Sequence, residues 1–125
     1  MPASSHDLAA ALAARLGPVL PSGLTVRADG DRVSVHSGET EVGGSAAAAL
    51  IGDEDGRSVE EKIETASRAV LGGVQDAVAE WLTEPWPEGL AAPGARVAGG
   101  HLHLWYGEER APVLGLSSVD LADMR

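Results

Sequence analysis

The chain has 125 residues, hydrophobic residues make up 44% of it, and its formal net charge is −10 at pH 7. This length and apolar content predict one globular domain over residues 1–125. The acidic charge argues against nucleic acid and against an anionic membrane surface as partners, because both are bound through clustered Lys and Arg.

The sequence contains no cysteine, which excludes disulfides, thiolate metal sites and a cysteine nucleophile. No apolar run approaches the roughly 20 residues that a transmembrane helix needs. The N-terminal residues also lack the basic region of a secretory signal. We therefore expect a cytoplasmic protein that does not associate with membranes.

The first predicted elements are a short helix and a hairpin. The helix covers residues 4–16, where leucines recur every four residues, and Gly17-Pro18 stops it. Apolar and polar residues then alternate through residues 24–37 on both sides of Asp29-Gly30. An Asp-Gly pair between two alternating runs is a strong signal for a β-hairpin.

Residues 41–51 carry conflicting signals. The alanines at 46–49 favour a helix, whereas Gly43-Gly44 and Gly52 leave little room for one. We predict a third strand, whose small side chains allow a helix to come close. Residues 53–56 are then a solvated acidic turn, because their spacing does not fit a calcium-binding EF-hand loop.

A long amphipathic helix over residues 58–83 is the predicted centre of the fold. Ser58 and Glu61 have the spacing of a capping box, and Pro85 ends the helix. Gly72-Gly73 in its middle indicates a close backbone contact with a strand or another helix, or alternatively a kink or a close helix–helix approach in a dimer. The apolar stripe comprises Val59, Ile63, Ala66, Val70, Val74, Ala77 and Trp81. The opposite face carries Glu60, Lys62, Glu64, Arg68, Gln75, Asp76 and Glu80.

The C-terminal part repeats the first pattern. A second hairpin is predicted over residues 96–106 around Gly99-Gly100, followed by a strand over residues 111–116. Residues 117–125 are expected to form a short turn or a frayed tail. The order of elements predicts an α+β fold with a single antiparallel sheet of about five or six strands in two hairpin units, packed on one long and one short helix.

Two histidines in the second hairpin form the candidate ligand site. His101 and His103 alternate along a strand, so both point to the side that Trp105 shares. Two imidazoles supply half of a metal site, for which His36 or a carboxylate would be the third ligand. The alternatives are a polar sheet face, a ligand-facing surface or a protein interface.

Trp86 is the second candidate for binding. It lies between Pro85 and Pro87, in a stiff segment that presents its indole in a defined direction. It either covers the core at the end of the long helix or is an exposed anchor for a partner. If the sheet face that bears Trp105 is open, that face is an amphipathic patch suited to binding or dimerisation.

The sequence carries none of the common catalytic or nucleotide-binding motifs. It has no serine elbow, phosphate loop, dinucleotide fingerprint or zinc-protease motif, and no spacing arranges its Ser, His and Asp as a triad. We therefore favour a binding protein over an enzyme, assign no catalytic residue and expect no cofactor.

Two resemblances add to this interpretation. The alanine- and glycine-rich, lysine-poor sequence, with Trp81-x-x-x-x-Trp86-Pro87 and His101-x-His103-x-Trp105-Tyr106, resembles small uncharacterised proteins of high-G+C Gram-positive bacteria. The predicted element order also resembles the secretion-chaperone-like fold, whose members are typically small, acidic and dimeric and bind other polypeptides. That resemblance implies a homodimer or a chaperone-like module that binds another polypeptide. The alternative is a small-molecule or metal-binding protein, enzymatic or not, centred on His101 and His103.

Overall fold

The computed structural model describes residues 5–46, 59–87, 89 and 91–124, and these contain two α-helices and seven strands, with short 3-10 turns and loops between them. The predicted α+β class is confirmed. The helices are α1 (Ser5–Leu16) and α2 (Val59–Leu82). The strands are β1 (Thr25–Asp29), β2 (Arg32–Ser37), β3 (Thr40–Ala46), β4 (Pro93–Ala98), β5 (His101–Gly107), β6 (Pro112–Gly115) and β7 (Val119–Asp120).

The strands form two antiparallel sheets, so the prediction of a single sheet was wrong. The first sheet has the order β1-β2-β3, and the second has the order β4-β5-β6, with β7 also paired to β5. Both predicted hairpins are present, with Asp29 opposite Arg32 in the first and Ala98 opposite His101 in the second. Strand β7 lies where a turn or tail was expected, and it pairs Val119 with Leu102.

The second sheet ends at β4 because side chains of α2 occupy the outer edge of that strand. The Val97 backbone N–H donates to Glu64 Oε2 at 2.8 Å. One turn further along the helix, Arg68 Nη1 donates to the Ala95 carbonyl oxygen at 3.2 Å. These bonds use backbone groups that a neighbouring strand would otherwise need, so pairing between β3 and β4 is blocked.

A third side chain on the same side of α2 bonds to the backbone on the N-terminal side of β4. Gln75 Nε2 donates to the Ala91 carbonyl oxygen at 2.5 Å, just before β4 begins. Pro93, which lies between, has no N–H to offer on this edge. The sequence analysis predicted that Glu64, Arg68 and Gln75 lie on the face of α2 opposite the apolar stripe. Their spacing of four and seven residues instead aligns them at its border, within reach of β4.

Helix α2 also lies close against β3, and a glycine makes this approach feasible. A Cβ atom added at Gly43 would lie 2.5 Å from the Ala77 Cβ, which is too close for two carbon atoms. The small side chains of this strand predicted the approach, and that prediction is confirmed at Gly43. A close contact was also predicted at Gly72-Gly73. At Gly72, however, an added Cβ would be in ordinary contact, 3.7 Å from Pro93 Cγ. The strand predicted over residues 41–51 is confirmed as far as Ala46.

The C-terminus of α2 is closed by a Schellman motif three residues before Pro85. The Glu84 N–H donates to the Ala79 carbonyl at 3.2 Å, and the Thr83 N–H donates to the Glu80 carbonyl at 3.3 Å. Thr83 has φ of +59°, the left-handed conformation that this motif requires. The predicted capping box at Ser58 and the acidic turn at 53–56 lie outside the described residues.

One hydrophobic core joins both helices and both sheets. The leucines of α1 are fully buried, as their spacing predicted, and the inward-facing residues of β2 and β5 belong to the same core. Fully buried members of this core include Leu8, Leu12, Leu16, Val33, Val35, Leu71, Leu102 and Tyr106. In the described part of the chain, neither helix combines the length and apolarity needed to cross a membrane.

Tyr106 links the core to the middle of α2. Its side chain is fully buried, and its hydroxyl donates to the Leu71 carbonyl oxygen at 2.7 Å. Burial raises the pKa of Tyr106 well above its usual value of 10.0, and the negative charge of Asp76 raises it further. The hydroxyl therefore stays protonated in the folded protein at a pH at which it ionises in the unfolded chain.

This raised pKa predicts how Tyr106→Phe affects stability. At pH 7 the substitution removes the bond to Leu71, and we expect unfolding to become easier by about 0.5–1.5 kcal/mol. Above pH 10 the Tyr106 hydroxyl ionises in the unfolded wild-type chain but not in the folded protein, and this favours unfolding. Tyr106→Phe has no such hydroxyl, so the difference in stability between wild type and variant falls as pH rises.

Urea unfolding followed by circular dichroism between pH 7 and 11 measures both effects. The difference between wild type and Tyr106→Phe should shrink above pH 10. A difference that stays constant over this range would show that the folded and unfolded states share the same tyrosine pKa.

Candidate functional site

Strand β5 presents one face to the core and the other to solvent. Leu102, Leu104 and Tyr106 are buried, whereas His101 and His103 are exposed. Trp105 lies on the same side as the histidines and is half-buried. The alternation expected from the sequence is therefore confirmed, and it brings three of the predicted site residues onto one outer face.

The neighbouring strands determine what surrounds the two histidines. Arg96 of β4 lies opposite His103, and Asp120 of β7 lies opposite His101. The two imidazole rings are 6.4 Å apart, measured between their centres, and are inclined at 51°. An arginine and a carboxylate thus flank the histidines, one on each side of β5.

Trp105 lies between two glycines, one in each adjacent strand. Gly94 of β4 is opposite it on one side, and Gly115 of β6 is opposite it on the other. A Cβ atom at Gly94 would overlap the indole ring, whereas one at Gly115 would meet nothing within 4 Å. The indole therefore lies over Gly94 and leaves open space above Gly115.

A shallow depression of about 360 Å³ adjoins Trp105. His103, Pro112 and Leu116 contribute to its lining. At its rim, Arg96 Nη1 and Glu109 Oε2 form an ion pair at 3.0 Å, with side chains that are 59% and 49% exposed. A pair this exposed contributes little to stability, so both charges are available to a partner.

His36 lies in the other sheet, on β2, and is not brought beside His101 and His103. Its Nε2 is hydrogen-bonded to Ser34 Oγ at 2.9 Å. In the part of the chain that the structure describes, no three His, Asp or Glu side chains are grouped to hold a metal ion. The metal hypothesis therefore stays a prediction that is based on His101 and His103.

Trp86 takes the first of the two roles that the sequence left open, since it covers the core beyond the end of α2, and its role as an anchor for a partner stays a prediction. It is half-buried and packs against the core, and its ring meets the edge of Tyr106 with 5.4 Å between ring centres. It also lines a second depression, of about 350 Å³, between the C-terminal half of α2 and the loop before β4. Asp76 and Pro93 line the same depression.

Sequence reasoning missed Arg96 and Asp76 as members of these two surfaces. Arg96 could have been found, because a two-residue turn at Gly99-Gly100 places it opposite His103. Asp76 had no comparable signal, since its position beside Trp86 depends on how the loop after α2 folds back on the helix.

Comparison with protein-family models finds no match, and comparisons with curated proteins and with solved structures find no significant similarity. The resemblance to the secretion-chaperone-like fold therefore stays a prediction. The geometry of the two surfaces is the basis for the functional proposals below.

The glycines beside Trp105 offer a matched pair of substitutions. Gly94→Ala places a methyl group where the indole lies, and we expect it to destabilise the fold by about 1–3 kcal/mol. Gly115→Ala enters open space on the other side of the same ring, so its effect should stay within about 0.5 kcal/mol.

Thermal unfolding measures both stabilities, and tryptophan emission reports whether the indole becomes more exposed in Gly94→Ala. Equal effects from the two alanines would contradict the placement of the indole over Gly94.

Proposed function

We propose that this protein is a non-catalytic protein-interaction module that forms a homodimer through the outer face of its second sheet. This surface, called the Trp105 face, consists of Arg96, His101, His103, Trp105 and Gly115. The observation that carries the proposal is the half-buried indole of Trp105, held over Gly94 on an otherwise solvent-exposed strand face. Tryptophan is among the residues that contribute most to binding energy at protein interfaces.

The charge of this region suits a second copy of the chain. Residues 93–120 carry three Asp or Glu and two Arg, a formal charge of −1, whereas the remaining residues carry −9. Two copies that meet here avoid most of the repulsion between two acidic proteins. A two-fold interface places each patch against its own copy, so Arg96 of one protomer can approach Glu109 of its partner.

A second exposed apolar side chain lies next to the Trp105 face. Val113 of β6 is 50% exposed. It lies two residues before Gly115, so it shares that side of the sheet. Together with Trp105 and the depression beside it, Val113 gives an apolar centre flanked by polar groups, which is the usual anatomy of a protein interface.

One observation favours the alternative, a site for a metal ion or small molecule. His101 and His103 are both exposed, and Asp120 lies opposite His101 in the ladder. A structural zinc site takes four ligands, so a dimer could also complete such a site with the partner's residues. The same experiment can test both candidates.

Native mass spectrometry of untagged protein, purified without chelators, reports subunit number and bound mass together. We expect a dimer without an adduct. Trp105→Ala should weaken the dimer by about tenfold or more, since truncation of a central anchor typically costs about 2 kcal/mol. Its effect on unfolding should be smaller, because the indole is only half-buried.

Trp81→Ala is the matched control. Trp81 is 40% exposed at the end of α2, away from the Trp105 face, and its loss should leave the dimer unchanged. A wild type that stays monomeric would contradict the homodimer, and equal weakening by both substitutions would contradict an interface on the Trp105 face. A metal adduct that His103→Ala abolishes would favour the alternative function.

A further inference from the structure

We infer that the depression beside Trp86 binds a basic segment of another polypeptide, with Trp86 and Asp76 holding one Lys or Arg side chain. The Trp86 depression is defined by Gln75, Asp76, Ala79, Pro85, Trp86 and Pro93. It lies at the C-terminal half of α2, whereas the Trp105 face lies on β5. This inference goes beyond the proposed homodimer, because it concerns a different surface and a different partner.

The segment that forms the depression carries only acidic charges. Residues 69–95 contain four Asp or Glu and no Lys or Arg. Three of these, Asp76, Glu80 and Glu84, are exposed in the described structure. Such a surface attracts cations and repels a second copy of the same surface. The occupant is therefore a basic segment and not the depression of another protomer.

The lining of the depression matches the two parts of a long basic side chain. Lys and Arg have apolar stems and charged ends, and they bury the stem while the end stays polar. Ala79, Pro85 and Pro93 provide apolar contact for the stem. Trp86 provides an aromatic ring, the best partner for a cation among aromatic side chains, and Asp76 provides a carboxylate.

The walls of the depression are held in place before any partner binds. Gln75 is fixed to the loop by its bond to the Ala91 carbonyl oxygen. Trp86 is fixed by its edge contact with the buried ring of Tyr106, at an interplanar angle of 66°. A site that is already ordered binds without the entropy cost of ordering its side chains.

The test is a titration of ¹⁵N-labelled protein with a short, blocked peptide of alternating lysine and glycine, followed by NMR. The chain has three tryptophans, so three indole N–H signals report on three places, and single Trp→Phe variants assign them. We expect saturable shifts of the Trp86 indole and of backbone amides in residues 75–79, without shifts of the Trp105 indole. The same peptide with acetylated lysines should not bind, because acetylation removes the charge.

Two variants separate the site from general attraction between charges. Asp76→Asn removes one exposed carboxylate without changing its size, and we expect at least fivefold weaker peptide binding. Glu39→Gln changes the net charge by the same amount on the turn between β2 and β3, where Glu39 is exposed, and should leave the affinity unchanged. Trp86→Phe keeps a ring against Tyr106 and should weaken binding, because phenylalanine attracts cations less strongly.

Three results would overturn the inference. The first is an indole N–H signal of Trp86 that does not shift at saturating peptide. The second is an equal loss of peptide affinity in Asp76→Asn and Glu39→Gln. The third is tighter binding of spermine than of the peptide, which would make the ligand a polyamine and not a polypeptide. Subunit number from native mass spectrometry is measured separately, so a monomer would contradict the homodimer and leave this inference standing.

Discussion

The outer edge of β4 is closed by side chains of α2, and the layout of the molecule depends on this contact. Glu64 and Arg68 bond to backbone groups of Val97 and Ala95 that a strand would otherwise use. The second sheet therefore ends at β4, and the first sheet ends separately at β3. Helix α2 lies against both of these edge strands and joins the two sheets through one core, with Gly43 allowing its approach to β3.

The contact between α2 and the outer edge of β4 also limits which surfaces stay exposed to solvent and can bind a partner. The inner faces of the sheets are used in the core, and the β4 edge is taken by α2. The outer face of β5 and the depression at the end of α2 remain exposed, and they differ in charge. The segment that carries the Trp105 face, residues 93–120, has a formal charge of −1, whereas the segment that forms the Trp86 depression contains only acidic charges. We propose a second copy of the chain as partner for the first surface and a basic segment for the second. Two partners could therefore bind at once without competing.

Local features of this fold were predictable from the sequence, whereas long-range ones were not. The first hairpin follows from turn chemistry, although its two-residue turn is Gly30-Asp31, one residue later than the predicted Asp29-Gly30. The outward side of His101 and His103 follows from strand alternation. The bond between Glu64 and Val97 joins residues 33 positions apart, and neither residue type signals it. For the same reason, the sequence analysis predicted one sheet that holds both His36 and His101. In the structure these residues lie in two different sheets, and α2 lies between the two sheets in the chain.

Hydrogen exchange at the Val97 amide tests the closure of the β4 edge most directly. On this account, the amide is protected in the wild type, and Glu64→Ala speeds its exchange by about tenfold, since a hydrogen bond to a charged group contributes about 1.5–3 kcal/mol. Glu64→Gln retains an acceptor oxygen and should restore part of the protection, and Glu60→Ala, at the exposed start of α2, should have no effect. Two results would contradict closure of the β4 edge by Glu64. One is a Val97 amide that exchanges at the rate of an unprotected amide in the wild type, and the other is an exchange rate that Glu64→Ala does not change.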